Sequence, residues 1–224
     1  MVPDDSFSER RERLVRNLAI SGYIRTPAVE RAMRKILREL FVPDDLKEEA
    51  YIDSPLPIGH GQTISAPHMV AIMLEELMLS AGLKVLEIGG GSGYHAALTG
   101  ELVRPNGKVF TIERIVELAE FARDNIEKAG YAGIVKVIHG DGSKGYPKEA
   151  PFDRIFVACG APDIPKPLLE QLADDGVMLV PVGGRSVQDL LRITKKGGRI
   201  IKENRGGCIF VPLIGEHGYD ESVN

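Results

Sequence analysis

The chain has 224 residues, enough to bury a full core in one domain with an extension. Its 43% hydrophobic and 27% charged residues are ordinary for a soluble globular protein, and a net charge of −4 speaks against broad electrostatic binding to nucleic acid. The acidic, polar start is unlike a secretory signal, and the stretch from Met69 to Leu79 is too short for a membrane span and carries Glu75 and Glu76. Cys159 and Cys208 lack metal or disulfide-framework spacing, so a cytoplasmic protein is expected.

The first predicted element is an amphipathic helix over 6–21, with Leu14, Val15 and Leu18 on one face and Gly22 ending it. Thr26-Pro27 starts a second helix, Thr26 as N-cap and Pro27 in its first turn, with a stripe of Val29, Met33, Ile36 and Leu37. Arg31, Arg34, Lys35 and Arg38, laced with Glu30 and Glu39, read as a solvated face rather than a nucleic-acid surface. A turn of helix at 44–50 and a proline-restricted extended stretch at 51–58 follow. A loop over 59–68 then leads into a helix that Ser65 is placed to cap, with Pro67 in its first turn.

From Lys84 strands and helices alternate, the signature of a parallel doubly wound sheet. Strands are expected at 85–88, 108–112, 135–138, 152–158 and 177–182, with helices after the first, second and fourth. Three further strands (189–194, 199–203 and 208–213) have no helices between them and should be antiparallel neighbours. The expected organisation is one domain, with an N-terminal helical cap and substrate loop over 1–82 and a Rossmann-like core with C-terminal strands over 83–224.

The stretch Val85-Leu86-Glu87-Ile88-Gly89-Gly90-Gly91-Ser92-Gly93-Tyr94 organises the rest. A strand, a glycine turn and a helix start place free N–H groups and a positive helix end beside a ligand. The glycines at 89, 91 and 93 miss the dinucleotide spacing, whose third position would be Tyr94, and no phosphate-loop Gly-Lys-Ser/Thr is present. Glu87 is ill placed for a pyrophosphate and suits a ligand with a cationic amino acid end. Glu113, 22 positions after Gly91, falls where an acid accepts from ribose hydroxyls, and Asp141 after the third strand can receive an adenine amine. Each acid alone can be a surface or capping residue; three at successive strand ends point to S-adenosylmethionine and methyl transfer. The fourth strand ends in Ala158-Cys159-Gly160-Ala161-Pro162, without the polar group that would hold an amine acceptor, and no acid and amide cluster offers a metal site.

The sequence resembles the protein L-isoaspartate (D-aspartate) O-methyltransferases over nearly its whole length. The most specific match is Gly61-Gln62-Thr63-Ile64-Ser65-Ala66-Pro67-His68-Met69, supported by the glycine loop, Gly140-Asp141-Gly142 with residues 150–155, and Phe210-Val211-Pro212-Leu213. The resemblance implies a class I S-adenosylmethionine-dependent methyltransferase, α/β with a doubly wound, mostly parallel sheet. It implies a carboxyl methyltransferase that repairs age-damaged proteins and peptides containing isoaspartyl residues, with S-adenosyl-L-homocysteine as product, and no metal, nucleic acid or membrane partner. By match, Ser65 is the active-site serine; Thr63, Ile64, His68, Val211 and Pro212 line the isoaspartyl pocket. Glu87, Gly89, Gly91, Gly93, Glu113, Arg114, Asp141 and Gly142 hold the cofactor. The chain departs from the family at Gly90, where a bulkier residue is usual, and at Cys159, where small or hydroxyl residues are common. The rival enzyme reading is an RNA methyltransferase that binds through the arginine-rich N-terminal helices.

Overall fold

The computed structural model describes residues 6–221. The N-terminal segment begins with α1 (Phe7–Ile20) and α2 (Pro27–Lys35). Ser6 and Glu9 close a reciprocal capping box on α1, and the Thr26 side chain accepts the Val29 N–H at the start of α2. Two short 3₁₀ turns follow (Arg38–Leu40 and Asp44–Glu49). The expected loop at 59–68 contains a β-hairpin, β1 (Leu56–Gly59) and β2 (Gln62–Ile64). His60 (φ 53°) and Gly61 (φ 68°) form its two-residue turn, with both residues left-handed, as a type I′ connection requires. Helix α3 (Pro67–Leu77) completes the segment.

The core alternates as expected: β3 (Lys84–Ile88), α4 (Tyr94–Val103), β4 (Lys108–Glu113), α5 (Val116–Lys128), β5 (Val135–His139), β6 (Phe152–Val157), α6 (Lys166–Gln171) and β7 (Leu172–Gly183). The long hairpin β8 (Gln188–Lys196) and β9 (Arg199–Cys208) ends the sheet. The strand order is β5-β4-β3-β6-β7-β8-β9, with β5, β4, β3, β6 and β7 parallel and the last two added antiparallel. The order reverses between β3 and β6, so ligand space is expected outside their carboxyl ends.

The two faces of the sheet are covered unequally. Val85, Val109, Val135, Phe156 and Leu179 pack with the apolar stripes of α1 to α5 in one cluster. Leu86, Ile88, Phe110, Ile112, Ile155 and Met178 face the other way, onto Leu168 of α6 and its neighbours. The side-chain period of two in β3 therefore points Val85 and Glu87 toward the helical layer and Leu86 and Ile88 away from it. Each fully buried Leu, Ile or Phe contributes roughly 1.5–3 kcal/mol, so both faces are needed to hold the strand ends in register.

Three expectations are corrected. The helix after the 59–68 stretch has Ala66 as its N-cap and no side-chain cap of its own, so Ser65 sits one residue too early to cap it. The His68 N–H is instead accepted by Asp53 Oδ1 at 2.9 Å. Residues 209–213 are not a third antiparallel strand. The chain leaves the hairpin at Cys208 and crosses back over the sheet, where Gly160 donates to the Val211 carbonyl and accepts from the Leu213 N–H, both at 2.8 Å. Arg38 is not on the solvated face. It is fully buried, whereas Arg34 pairs with Glu30 and Glu12, Lys35 with Glu101, and Arg10 with Glu48. Among the described residues no helix is long and apolar enough to cross a membrane.

Candidate active site

The turn from β3 into α4 forms the floor of the site. Gly89 (φ 86°), Gly91 (φ 52°) and Gly93 (φ 86°) are all left-handed, a path a side chain would strain. Close approach matters as well: a Cβ on Gly89 would lie 2.5 Å from Cys159 Sγ, and one on Gly142 2.5 Å from Ile88. Gly90 lacks the positive φ, but a Cβ there would fall 2.5 Å from Thr111 Oγ1. The departure from the family's bulkier residue at position 90 is therefore matched by the threonine beneath it, and Cys159 fills the space beside Gly89.

At the end of β4, Glu113 Oε2 accepts the Gly91 N–H and Oε1 the Ile115 N–H, each at 2.9 Å. The acid thus clamps the glycine loop to the start of the next helix and keeps further lone pairs for a ligand. An open cleft runs past it, bordered by Thr63, Gly89, Gly91, Glu113, Arg114, Gly142, Val211 and Pro212. A second, smaller cavity is lined by Thr63, Ile64, Ser65, Glu87, Gly89 and Gly91 together with Tyr94 and His95. Thr63, Gly89, Gly91 and Ala158 border both spaces.

Glu87 is fully buried, and neither carboxyl oxygen has a hydrogen-bond partner. Burial, chiefly, pushes its pKa up to about 8; the neighbouring Thr111 hydroxyl opposes the rise and the Glu113 charge adds to it. An orphaned buried carboxyl is costly unless a ligand completes it. A cationic amino group would satisfy those oxygens, and the glycine cradle and Glu113 suit a nucleoside, so the residues present fit S-adenosylmethionine.

Three expected site residues stand outside these two linings. Gly93 is the N-cap of α4, and a Cβ there would press to 3.1 Å on Ile126 and 3.2 Å on the Ala122 carbonyl, so glycine lets α4 pack closely on α5. Asp141 turns onto its own chain. Its Oδ1 accepts the Ser143 N–H and hydroxyl at 2.9 and 2.6 Å, and Oδ2 accepts the Glu216 N–H at 3.0 Å. Although burial alone would raise it, these donors hold its pKa below the usual carboxylate value. His68 Nδ1 lies 2.9 Å from Asp53 Oδ1, and its ring packs 5.4 Å from Tyr23.

Two residues of the site escaped sequence reading. His95 lines the Ser65 cavity, its ring 4.4 Å from Phe156 and its Nε2 without a partner; burial lowers its pKa to about 3. The signal available was only its place two residues after Gly93. Arg38 donates from Nη2 to the Ser65 carbonyl and from Nε to the Ala50 carbonyl, both at 2.9 Å. No sequence spacing announces that contact. Among the described residues no group of three His, Cys, Asp or Glu side chains is arranged to hold a metal ion.

The family profile described as "Protein-L-isoaspartate(D-aspartate) O-methyltransferase (PCMT)" matches residues 9–218. The chain belongs to that family. The protein-L-isoaspartate O-methyltransferase of Methanopyrus kandleri is 59% identical over 223 residues, covering 99% of each chain, and that of Hyperthermus butylicus is 56% identical, covering 97% of this chain and 94% of the other. Among solved structures, a Plasmodium falciparum protein-L-isoaspartate O-methyltransferase in complex with S-adenosyl-L-homocysteine superposes with a TM-score of 0.83 at 32% identity, covering 91% of this chain and 98% of that one. The mostly parallel sheet with antiparallel final strands is therefore the class I methyltransferase architecture of the family.

Proposed function

We infer that the protein transfers a methyl group from S-adenosylmethionine to the free α-carboxylate of L-isoaspartyl residues, and of D-aspartyl residues by the same family reading, in damaged proteins and peptides. The product ester then closes to a succinimide, from which part of the material reopens as normal aspartate. The observation that carries this reading is Thr63, which borders both the cleft beside Glu113 and the cavity that holds Ser65 and Glu87. The family's acceptor motif and a nucleoside-binding floor therefore meet at one residue.

When bound, the cofactor supplies an electrophilic methyl on a sulfonium: the O–CH₃ bond forms as the C–S bond breaks, and the electron pair stays on sulfur. No proton moves, because a carboxylate acceptor with a reference pKa of about 4 is already ionised at pH 7. The residues of this chain accordingly need to bind, orient and exclude water. Glu87 is placed to take the ammonium, Glu113 the ribose hydroxyls, and the Gly89–Gly91 turn lets the backbone approach. Gly142, packed against Ile88, and Arg114 border the far end of the cleft, and Asp141 acts through the loop it ties down. Ser65 is placed to donate its hydroxyl to the acceptor carboxylate. Thr63, Ile64, Val211 and Pro212 form the walls, and His68 with Asp53 anchors the loop beside them.

The C-terminal crossing closes the site from above. Asp141 and Ser143 receive the Glu216 and His217 N–H groups, each at 3.0 Å, and Arg114 pairs with Glu221 at 2.9 Å. The strap that carries Val211 and Pro212 is thus tied to the ends of β4 and β5. The deciding experiment is transfer of labelled methyl to matched peptides. Labelling of the isoaspartyl peptide with the aspartyl peptide unlabelled is the expected result; equal labelling, or preference for RNA, would exclude the assignment.

A further inference from the structure

Arg38 lies one layer behind the wall of the Ser65 cavity. Its guanidinium sits 4.9 Å over the Tyr94 ring while bonding the Ser65 and Ala50 carbonyls, and Ser65 and Tyr94 both line that cavity. The third nitrogen, Nη1, is buried without a hydrogen-bond partner. Its bonded carbonyl partners are neutral; the Tyr94 side chain and, more weakly and through space, the Asp53 charge favour its charged form, but among the described residues no carboxylate forms an ion pair with it. Arginine stays charged in proteins, so the fold keeps a positive charge buried at considerable cost.

What that charge faces gives it a purpose. The cavity lining contains Glu87 and no lysine or arginine, its one histidine, His95, is kept neutral by burial, and the adjoining cleft is bordered by one acid, Glu113, and one base, Arg114. With no cation in its own lining, the cavity offers an anionic acceptor no compensating charge except one set behind the wall. Ser65 is also the residue whose hydroxyl must be aimed, and its carbonyl is held by the same guanidinium. We propose that Arg38 is a positioning residue for the acceptor: it fixes the Ser65 backbone and lays a permanent positive charge behind the cavity wall, which favours a carboxylate over a neutral group. The inference rests on the carboxyl-methylation reading above.

The test measures binding to the enzyme loaded with S-adenosylhomocysteine, which has no sulfonium charge of its own. Two peptides are titrated by calorimetry, one with an isoaspartyl carboxylate and one with the carboxamide in its place. The wild type is expected to prefer the carboxylate by about tenfold or more, a size typical of a charge contact. In Arg38→Met the preference falls to within about threefold while affinity for S-adenosylhomocysteine stays within about threefold. Arg38→Lys keeps the charge but cannot span both carbonyls, so it retains the preference and loses about tenfold in kcat/KM. A purely structural arginine would weaken both peptides alike in Arg38→Met, and that result overturns the proposal. Should the methionine variant fail to bind S-adenosylhomocysteine, Arg38→Gln carries the same comparison, and if that also fails, collapse of the preference in Arg38→Lys is the overturning result. A wild type that does not methylate the isoaspartyl peptide would refute the functional reading itself, whereas a methylating wild type with an unchanged preference in the neutral variant refutes only the role of Arg38.

Discussion

Glu113 Oε2 accepts the backbone N–H of Gly91 at 2.9 Å, across 22 residues of sequence. One carboxylate thereby fixes the glycine turn, and its other oxygen fixes the start of α5 through Ile115. Removing it should release the loop and, if Glu113 holds the ribose as proposed, delete that acceptor as well. Glu113→Ala is expected to weaken cofactor binding by about 1.5–3 kcal/mol, the worth of a charged hydrogen bond. Glu113→Gln, which can still accept from Gly91, should lose less. Calorimetric affinities equal to wild type in both variants would remove Glu113 from the cofactor site.

Gly90 and Thr111 form a second pair that can be tested by coupling. With a Cβ at 90 only 2.5 Å from Thr111 Oγ1, Gly90→Ala should destabilise the loop and lower cofactor affinity, by about 1–3 kcal/mol as for an overpacked core site. Thr111→Ala clears that space, so Gly90→Ala in its background should cost markedly less. Additive losses across the cycle would show that the two positions act independently.

Asp53 caps α3 from 15 residues away, accepting the His68 N–H and contacting His68 Nδ1, both at 2.9 Å. Asp53→Ala should therefore lower stability by about 1 kcal/mol, the usual cost of a lost N-cap acceptor, and disorder the loop that carries Ser65. Denaturant unfolding gives the first quantity and the KM for an isoaspartyl peptide the second. Unchanged values in both would relegate the contact to a surface pairing.

The alternation from Lys84 onward was legible because buried parallel strands leave short apolar runs and glycine turns, and these are local signals. The placement of Glu87, Gly89, Gly91 and Glu113 at the strand ends was legible for the same reason, since each is fixed by its distance from a strand end. The hairpin at 56–64 was not, because its two-residue turn uses His60 in place of the usual Asn or Asp. The burial of Arg38 is not legible because its spacing with Glu30 and Glu39 fits a solvated helix face; only the turn at Arg38–Leu40 swings it inward beneath Ser65. The cap on α3 and the crossing of 209–213 depend on Asp53 and Gly160, partners brought together by tertiary structure, and no window of local sequence contains them.

Ser65 is expected to orient the acceptor rather than attack it. Ser65→Ala should lower kcat/KM by about 10- to 100-fold, equivalent to about 1.4–2.7 kcal/mol, with cofactor affinity nearly unchanged. Since Ala66 is the N-cap of α3, the substitution should leave thermal stability intact, unlike Asp53→Ala. His95, the histidine that shares its cavity, has its pKa lowered to about 3 and stays neutral through the working range, so the pH profile should carry no limb from it. A covalent adduct on Ser65, or a histidine limb abolished by His60→Ala or His68→Ala, would contradict this role.

If Glu87 takes the cationic end of the cofactor, as proposed, cofactor binding is proton-linked. Its pKa is raised from 4.5 to about 8, so the free protein holds it protonated at pH 7. The sign follows from linkage: for an acid with a raised folded value, the stabilising contribution is complete below about pH 4.5 and is lost as pH rises through about 8. A cation that pairs with Glu87 binds its ionised form, so binding below pH 8 must expel the proton. Calorimetry at pH 7 in two buffers of different ionisation enthalpy should show close to one proton released per cofactor bound, and affinity should rise roughly tenfold from pH 6 to pH 7. Glu87→Gln, neutral at every pH, should bind more weakly and abolish both the buffer-dependent heat and the pH slope. The same variant should gain stability relative to wild type above pH 8, where the unliganded protein otherwise carries a buried charge without a partner. Wild-type binding with no buffer dependence at pH 7 would mean that Glu87 does not receive the cationic end of the cofactor.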